Sequence, residues 1–300
     1  MDKRYNTYNK FLKDKFGVKV HKLIIDAGFS CPNRDGTISS DGCIFCDEVG
    51  SFGSTHSNKL SIKEQILEGI EILPKRFKAQ KYIAYFQAFS NTYKPASELE
   101  RIYNEAFVDD RIVGISIGTR PDCIDKEKIK IISKLKFPQI ELGLQSIHND
   151  TLKLINRGHD FDCFLRAYEM IKEAGINVCV HTIFGLPNEN RSMMIETIEK
   201  LAELKIDGIK FHMLTVLRGS KLAQYADRID AMSEEDYCNL VCDSLEILPP
   251  TTTIQRLAGS GLKSELISPL WIEHKFHTTN LIDKIMIQRN SFQGSKYQAR

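Results

Sequence analysis

From Lys22 onward the chain alternates strand-like and helix-like stretches in an unbroken rhythm of roughly 30 residues per pair. The strand-like stretches are 22–26, 81–87, 111–117, 139–145, 177–184 and 206–214, with 252–257 a weaker last candidate. Ile62, Ile66, Ile70 and Leu73 keep one helical face behind a Ser61–Glu64 capping box, and Pro74 is expected to stop that helix. A second box, from Ser97 to Glu100, opens a helix toward Phe107. Residues 125–135, 150–155, 162–174 and 192–204 read as further helices, and Ser233 caps another. About six βα units in a row predict an α/β fold with a parallel sheet and right-handed crossovers. Without a dinucleotide fingerprint, a partial (β/α)6 barrel of the TIM type suits them better than an open sheet. In such barrels the chemistry lies on loops at the C-terminal ends of the strands. We divide the chain into a barrel over 23–260, a basic N-terminal extension over 1–22 and a basic C-terminal extension over 261–300.

Composition narrows the class. With 42 % apolar and 27 % charged residues the chain reads as a soluble globular protein, and no apolar run approaches the roughly 20 residues of a membrane span. No apolar segment follows Met1–Asn6, so no secretory signal is expected. Eight cysteines in that context point to the reducing cytoplasm, where thiols serve metals rather than disulfides. Residues 1–22 carry seven Lys/Arg against two acids, and residues 271–300 five against two. Such ends suit a polyanion such as RNA, although solubilising termini explain the charge alone.

Three of the cysteines, Cys31, Cys43 and Cys46, share one short polar loop directly after the first strand. Eleven residues separate the first pair and two the second. Three thiolates can hold three corners of a 4Fe–4S cluster and leave one iron open to a non-protein ligand. A structural zinc ion is the alternative, and it needs a fourth ligand, for which His56 is nearest. Cys123, Cys163, Cys179, Cys238 and Cys242 read as core thiols.

Polar residues gather at the other strand ends. Alternation along 140–145 turns Glu141, Gly143 and Gln145 toward the lumen, where a carboxylate must be paired or hydrogen-bonded. Arg157 follows that strand and can fork onto a carboxylate. Phe89 to Thr92 and Gly118 to Asp122 end the second and third strands. His181, and His212 with Lys210, fall on the fifth and sixth; the histidines read as packed core residues.

Together these motifs resemble the radical S-adenosylmethionine (SAM) superfamily, in particular the subgroup of YhcC-like proteins and, more distantly, the catalytic subunit of elongator. The resemblance covers about residues 20 to 260. It rests on Cys31-x11-Cys43-x2-Cys46, Gly114 to Asp122, Glu141 to Ser146, Arg157-Gly158-His159 and Ile183 to Pro187. The cysteine spacing departs from the usual x3, and Gln87 to Thr92 stand where a Gly-Gly-Glu motif is expected. The resemblance implies a 4Fe–4S cluster on the three cysteines whose open iron binds SAM. One electron then breaks the SAM C5′–S bond, and the 5′-deoxyadenosyl radical takes hydrogen from the substrate. It also implies SAM contacts from Glu141 and Arg157, adenine contact from Phe45, and ammonium contact from Ser90 or Asn91. Gln87, Thr119 and Gln145 complete the candidate cofactor residues. A low-potential donor such as flavodoxin or ferredoxin supplies the electron, and the subgroup's links point to wobble-uridine side chains in tRNA. The rival readings are a zinc-holding RNA-binding module without redox chemistry and a barrel scaffold with a vestigial cluster.

Overall fold

Seven strands pair in parallel: β1 (Val20–Ile25), β2 (Lys81–Phe86), β3 (Ile112–Thr119), β4 (Pro138–Gln145), β5 (Asn177–Phe184), β6 (Gly208–Met213) and, beyond the short β7 (Val216–Leu217), β8 (Thr253–Arg256). β7 pairs instead with β9 (Leu266–Ser268), antiparallel. The helices are α1 (Tyr8–Phe16), α2 (Ile62–Phe77), α3 (Ala96–Asn104), α4 (Lys126–Ile132), α5 (Asn149–Leu154), α6 (Phe161–Glu173), α7 (Arg191–Glu203), α8 (Glu234–Ile247) and α9 (Lys275–Gln288). This is a computed structural model that describes residues 3–47, 50, 60–259 and 264–298.

Side chains reveal how far the sheet curls. Laid flat, strands at a spacing of about 4.8 Å would set β1 and β8 about 29 Å apart. Instead Lys22 on β1 donates to Gln255 on β8 at 2.7 Å and also to Glu141 on β4. Ser116 on β3, His181 on β5 and Lys210 on β6 reach the same carboxylate, and Lys210 meets the Tyr85 hydroxyl of β2 at 3.2 Å. Every strand of the sheet therefore sends a side chain into one connected cluster around Glu141. The fold is a partial TIM-type barrel, with the weak candidate at 252–257 as its seventh strand.

The outer faces of the strands, such as Ile140, Leu142 and Leu144, are buried under the helices. The N-terminal stretch closes the floor. Thr7 caps α1 by accepting from Lys10 N at 3.2 Å, and bridges Ile254 of β8. Tyr8 is buried, its hydroxyl donating to Gln139 at the start of β4, and its ring lies 4.7 Å from Lys22 Nζ. The chain ends meet on that side: Gln293 N donates to Arg4 O at 2.9 Å, and Gln293 Nε2 to Thr252 O at 2.8 Å just before β8. Both basic ends thus lie by the N-terminal edge of the sheet, away from the cysteine loop.

Two local expectations are corrected. Pro74 does not end α2: a proline removes one backbone donor, but the last turn runs on to Phe77, whose ring stacks on His21 at 4.2 Å. The Ser97 box does not form, since α3 already starts at Ala96 behind Pro95 and closes at Asn104. Asp160 caps α6 by accepting from Cys163 N. The Ser61 box does form, with Ser61 N donating to Glu64 at 2.7 Å and Glu64 N to Ser61 at 3.3 Å.

Candidate metal centre and cofactor cavity

The loop after β1 folds on its own backbone. Arg34 N and Asp35 N donate to Cys31 O, Ile38 N to Pro32 O, Gly42 N to Asn33 O, and Cys46 N to Cys43 O. Gly42 takes φ 70°, and a Cβ there would stand 3.3 Å from Arg34 Cγ, so this turn needs glycine. Neighbouring segments fix the loop in place. Asn156 Nδ2 donates to Gly42 O at 2.7 Å, Ile44 N to Ile155 O at 3.1 Å, and Leu222 N to Ile44 O at 2.9 Å.

This folding brings donors to the sulfurs. Asn33 Nδ2 lies 3.6 Å from Cys43 Sγ, Arg157 Nη1 3.5 Å from Cys43 Sγ, and Arg34 Nη1 3.6 Å from Cys46 Sγ. Burial raises the Cys31 pKa, while Arg120 and Arg157 oppose that shift. Arg120 is pinned to Asp122 by bonds of 2.9 and 2.7 Å. Burial and the two arginines press the His159 pKa down to about 3, so that ring is neutral.

Cys31, Cys43 and Cys46 line one cavity of about 400 Å³. Among the described residues no group of three or more His, Cys, Asp or Glu side chains is already gathered around one point. His56 lies outside the described residues. In a cluster each thiolate sits on a different iron, so sulfurs around a shared space rather than a shared point suit it. Arg157 Nε and Gln87 Nε2 are buried, have no hydrogen-bond partner among the described residues and belong to side chains lining the same cavity. Unpaired buried donors are costly and fit an anionic or carbonyl-bearing ligand. The residues present therefore fit both a three-thiolate cluster and a polar cofactor beside it.

Deeper in, Glu141 is 1 % exposed and accepts from Ser116 at 2.9 Å, from His181 at 2.8 Å, and from Lys22 and Lys210. Burial alone would raise its pKa; Lys210 and Lys22 outweigh that and hold it well below the ordinary value. One carboxylate cannot offset two ammonium groups fully, and burial brings Lys210 down to about 8. Burial takes His181 down to about 4 and His212 well below its usual value.

The sequence-predicted residues divide accordingly. Phe45, Gln87, Thr119, Gln145 and Arg157 line the cavity with the three cysteines. Glu141 lines it too, but protein donors occupy both its oxygens. Ser90 and Asn91 are not among the lining residues. Ser90 Oγ pairs with Thr119 Oγ1 at 3.0 Å, and Asn91 Nδ2 donates to Ala88 O and Gly118 O at 2.7 and 2.9 Å, bracing the ends of β2 and β3. His181 and His212, expected in the core, face the cavity. Lys22, Arg34, Asn33 and Tyr85 were not singled out; the period-2 alternation of Lys22 with Ile24, and the place of Asn33 and Arg34 between the cysteines, were the available signals. All eight cysteines are free, and burial pushes Cys123, Cys179, Cys238 and Cys242 up to about 12, in keeping with inert core thiols. Cys163 is half-buried. No described helix is long and apolar enough to cross a membrane.

Residues 31–201 match the family model of the radical SAM superfamily, and residues 206–288 that of the radical SAM C-terminal domain, which begins at β6 and so divides the one sheet. The chain is 39 % identical to the uncharacterized protein YtqA of Bacillus subtilis over 99 % of its length and 94 % of that protein. It is 36 % identical to YhcC of Escherichia coli over 98 % and 96 %. A tRNA uridine(34) acetyltransferase of Methanocaldococcus infernus shares 30 % identity over 54 % of this chain and 32 % of its own. In fold, the chain matches a solved archaeal Elp3 with a TM-score of 0.70, at 18 % identity, over 91 % of this chain and 64 % of that one. With three thiols on one cavity at the mouth of a partial barrel, and a family match across 31–201, this chain belongs to the radical SAM superfamily, whose members carry a 4Fe–4S cluster and SAM.

Proposed function

We propose that this radical SAM enzyme acts on the side-chain substituent of a wobble uridine in tRNA, in the cytoplasm, with electrons from a flavodoxin or ferredoxin. The carrying observation is that the three cysteines and the polar floor around Glu141 line one cavity, so that cofactor and substrate atoms share one space at the strand ends. When bound, the cluster and SAM supply reductive cleavage of a sulfonium C–S bond and an alkyl radical that takes hydrogen from carbon. Cys31, Cys43 and Cys46 would hold the cluster. Arg157 and Gln87 would offer their unpaired donors to SAM, with Phe45, Thr119 and Gln145 shaping the wall. Ser90 and Asn91 support that wall from behind, and Glu141 holds the floor.

The tRNA assignment draws on the partial likeness to a tRNA uridine(34) acetyltransferase. A base enters such a cavity only when extruded from its stack. The basic chain ends lie at the opposite edge of the sheet, so the contact surface for RNA belongs to the mouth. Two measurements test the reading. Reconstituted protein with SAM and dithionite should release 5′-deoxyadenosine. Nucleoside mass spectrometry of tRNA from a deletion strain should show an altered wobble uridine; an unchanged profile removes tRNA from the proposal.

A further inference from the structure

The stretch between Cys31 and Cys43 is long for a metal loop, and its residues do more than span a gap. Asn33 is fully buried, and its amide points at Cys43 Sγ (3.6 Å) while also donating to Asn156 O at 2.7 Å. Arg34 turns back over Gly42, donates to Cys46 Sγ at 3.6 Å and to Asp47 O, and lies 5.8 Å from the Phe89 ring. Arg157 also reaches Cys43 Sγ, at 3.5 Å, and is tied to Gly143 O at 2.8 Å. Two guanidinium groups and an amide therefore approach two of the three ligand sulfurs, each held by a second bond to the protein.

Donors and positive charge at ligand sulfurs stabilise the form of a cluster that has gained an electron, because that electron adds negative charge there. We infer that Asn33 and Arg34, together with Arg157, are positioning residues whose N–H groups raise the reduction potential of the bound cluster. They favour the state that has accepted one electron from a low-potential donor, the 4Fe–4S unit passing from 2+ to 1+. The eleven-residue spacing then has a purpose: it provides the turn that carries Asn33 and Arg34 back onto Cys43 and Cys46. This inference rests on the proposed cluster reading.

The test is an EPR-monitored redox titration of the full-length reconstituted protein without SAM. In Arg34→Met the ratio of reduced to oxidised cluster at a fixed ambient potential should fall about tenfold, a shift of about 59 mV to the negative for a one-electron couple. Arg34→Lys, which keeps the charge, should recover part of it, and Asn33→Ser should shift in the same direction as Arg34→Met. Thr37→Ala, in the same loop, loses a 2.8 Å bond to Tyr93 and no sulfur contact, and should leave the potential unchanged. Equal potentials in wild type, Arg34→Met and Asn33→Ser overturn the inference, as does an equal shift in Thr37→Ala. Failure of both Arg34 variants and Asn33→Ser to load iron, with Thr37→Ala loading normally, overturns it as well, since these residues would then build the site rather than tune it. If wild-type protein takes up no four-iron cluster, the proposed function itself has failed.

Discussion

Lys22 donates to Gln255 across 2.7 Å, so the first and last strands of the sheet meet through side chains although they stand at opposite ends of its strand order. The same ammonium serves Glu141, which is fully buried. Lys210 serves it as well, so Glu141 stays paired without Lys22, whereas without Glu141 both ammonium groups lose their counter-charge; breaking a buried pair in that way typically costs about 3–5 kcal/mol.

Glu141→Gln should therefore lower stability by about 3 kcal/mol, seen as a lower urea midpoint with an unchanged slope. Adding Lys210→Met to that variant should return part of the loss, because an uncompensated buried ammonium goes too. Additive losses in the double variant would show that the two side chains do not depend on each other.

Acid should weaken the fold before any carboxylate reaches its ordinary pKa. His181 has its pKa lowered from 6.5 to about 4 by burial. Between those values the unfolded chain binds a proton that the folded one refuses, so stability is full above about pH 6.5 and falls toward pH 4. The gap corresponds to roughly 3 kcal/mol. Glu141, held well below 4.5, adds a loss in the same direction as pH falls below 4.5. Denaturation curves from pH 7.5 to 4.5 should slope less steeply with pH in His181→Gln; parallel pH profiles would contradict this account.

Gly143 has no side chain for a reason that Arg157 supplies: a Cβ there would stand 2.6 Å from Arg157 Nη2. In Gly143→Ala the guanidinium must move off Gly143 O. The rate of 5′-deoxyadenosine formation should fall about 100-fold, the scale of a 1 Å misplacement, while iron content stays near wild type.

The eight cysteines should separate cleanly. Cys43→Ala should lose both the cluster and SAM cleavage. Cys179→Ala, which removes a buried thiol on β5, should keep its iron and cost about 1 kcal/mol of stability. Iron analysis and thermal melts of the two purified variants distinguish these outcomes.

The repeating strand–helix order and the three-cysteine loop are legible because both are local patterns, fixed by spacing along the chain. The seventh strand was only a weak candidate because β8 is four residues long and earns its place by pairing with β6. The end of α2 was misplaced because Phe77 stacks on His21, a contact that no helix-stop rule contains. Ser90 and Asn91 occupy the expected positions, but their polar groups are drawn to Thr119 and Gly118 of the neighbouring strand. The donors around Glu141 come from four strands, at Lys22, Ser116, His181 and Lys210, and only the curl of the sheet brings them together.

The fastening of the cysteine loop ties the ligand sulfurs to distant parts of the chain. Ile44 is held on its amide side by Ile155 and on its carbonyl side by Leu222, and Asn156 grips Gly42. A displacement of any of these three neighbours is thus passed on to Cys43 and Cys46, so residues a hundred or more positions away share in setting where the sulfurs stand.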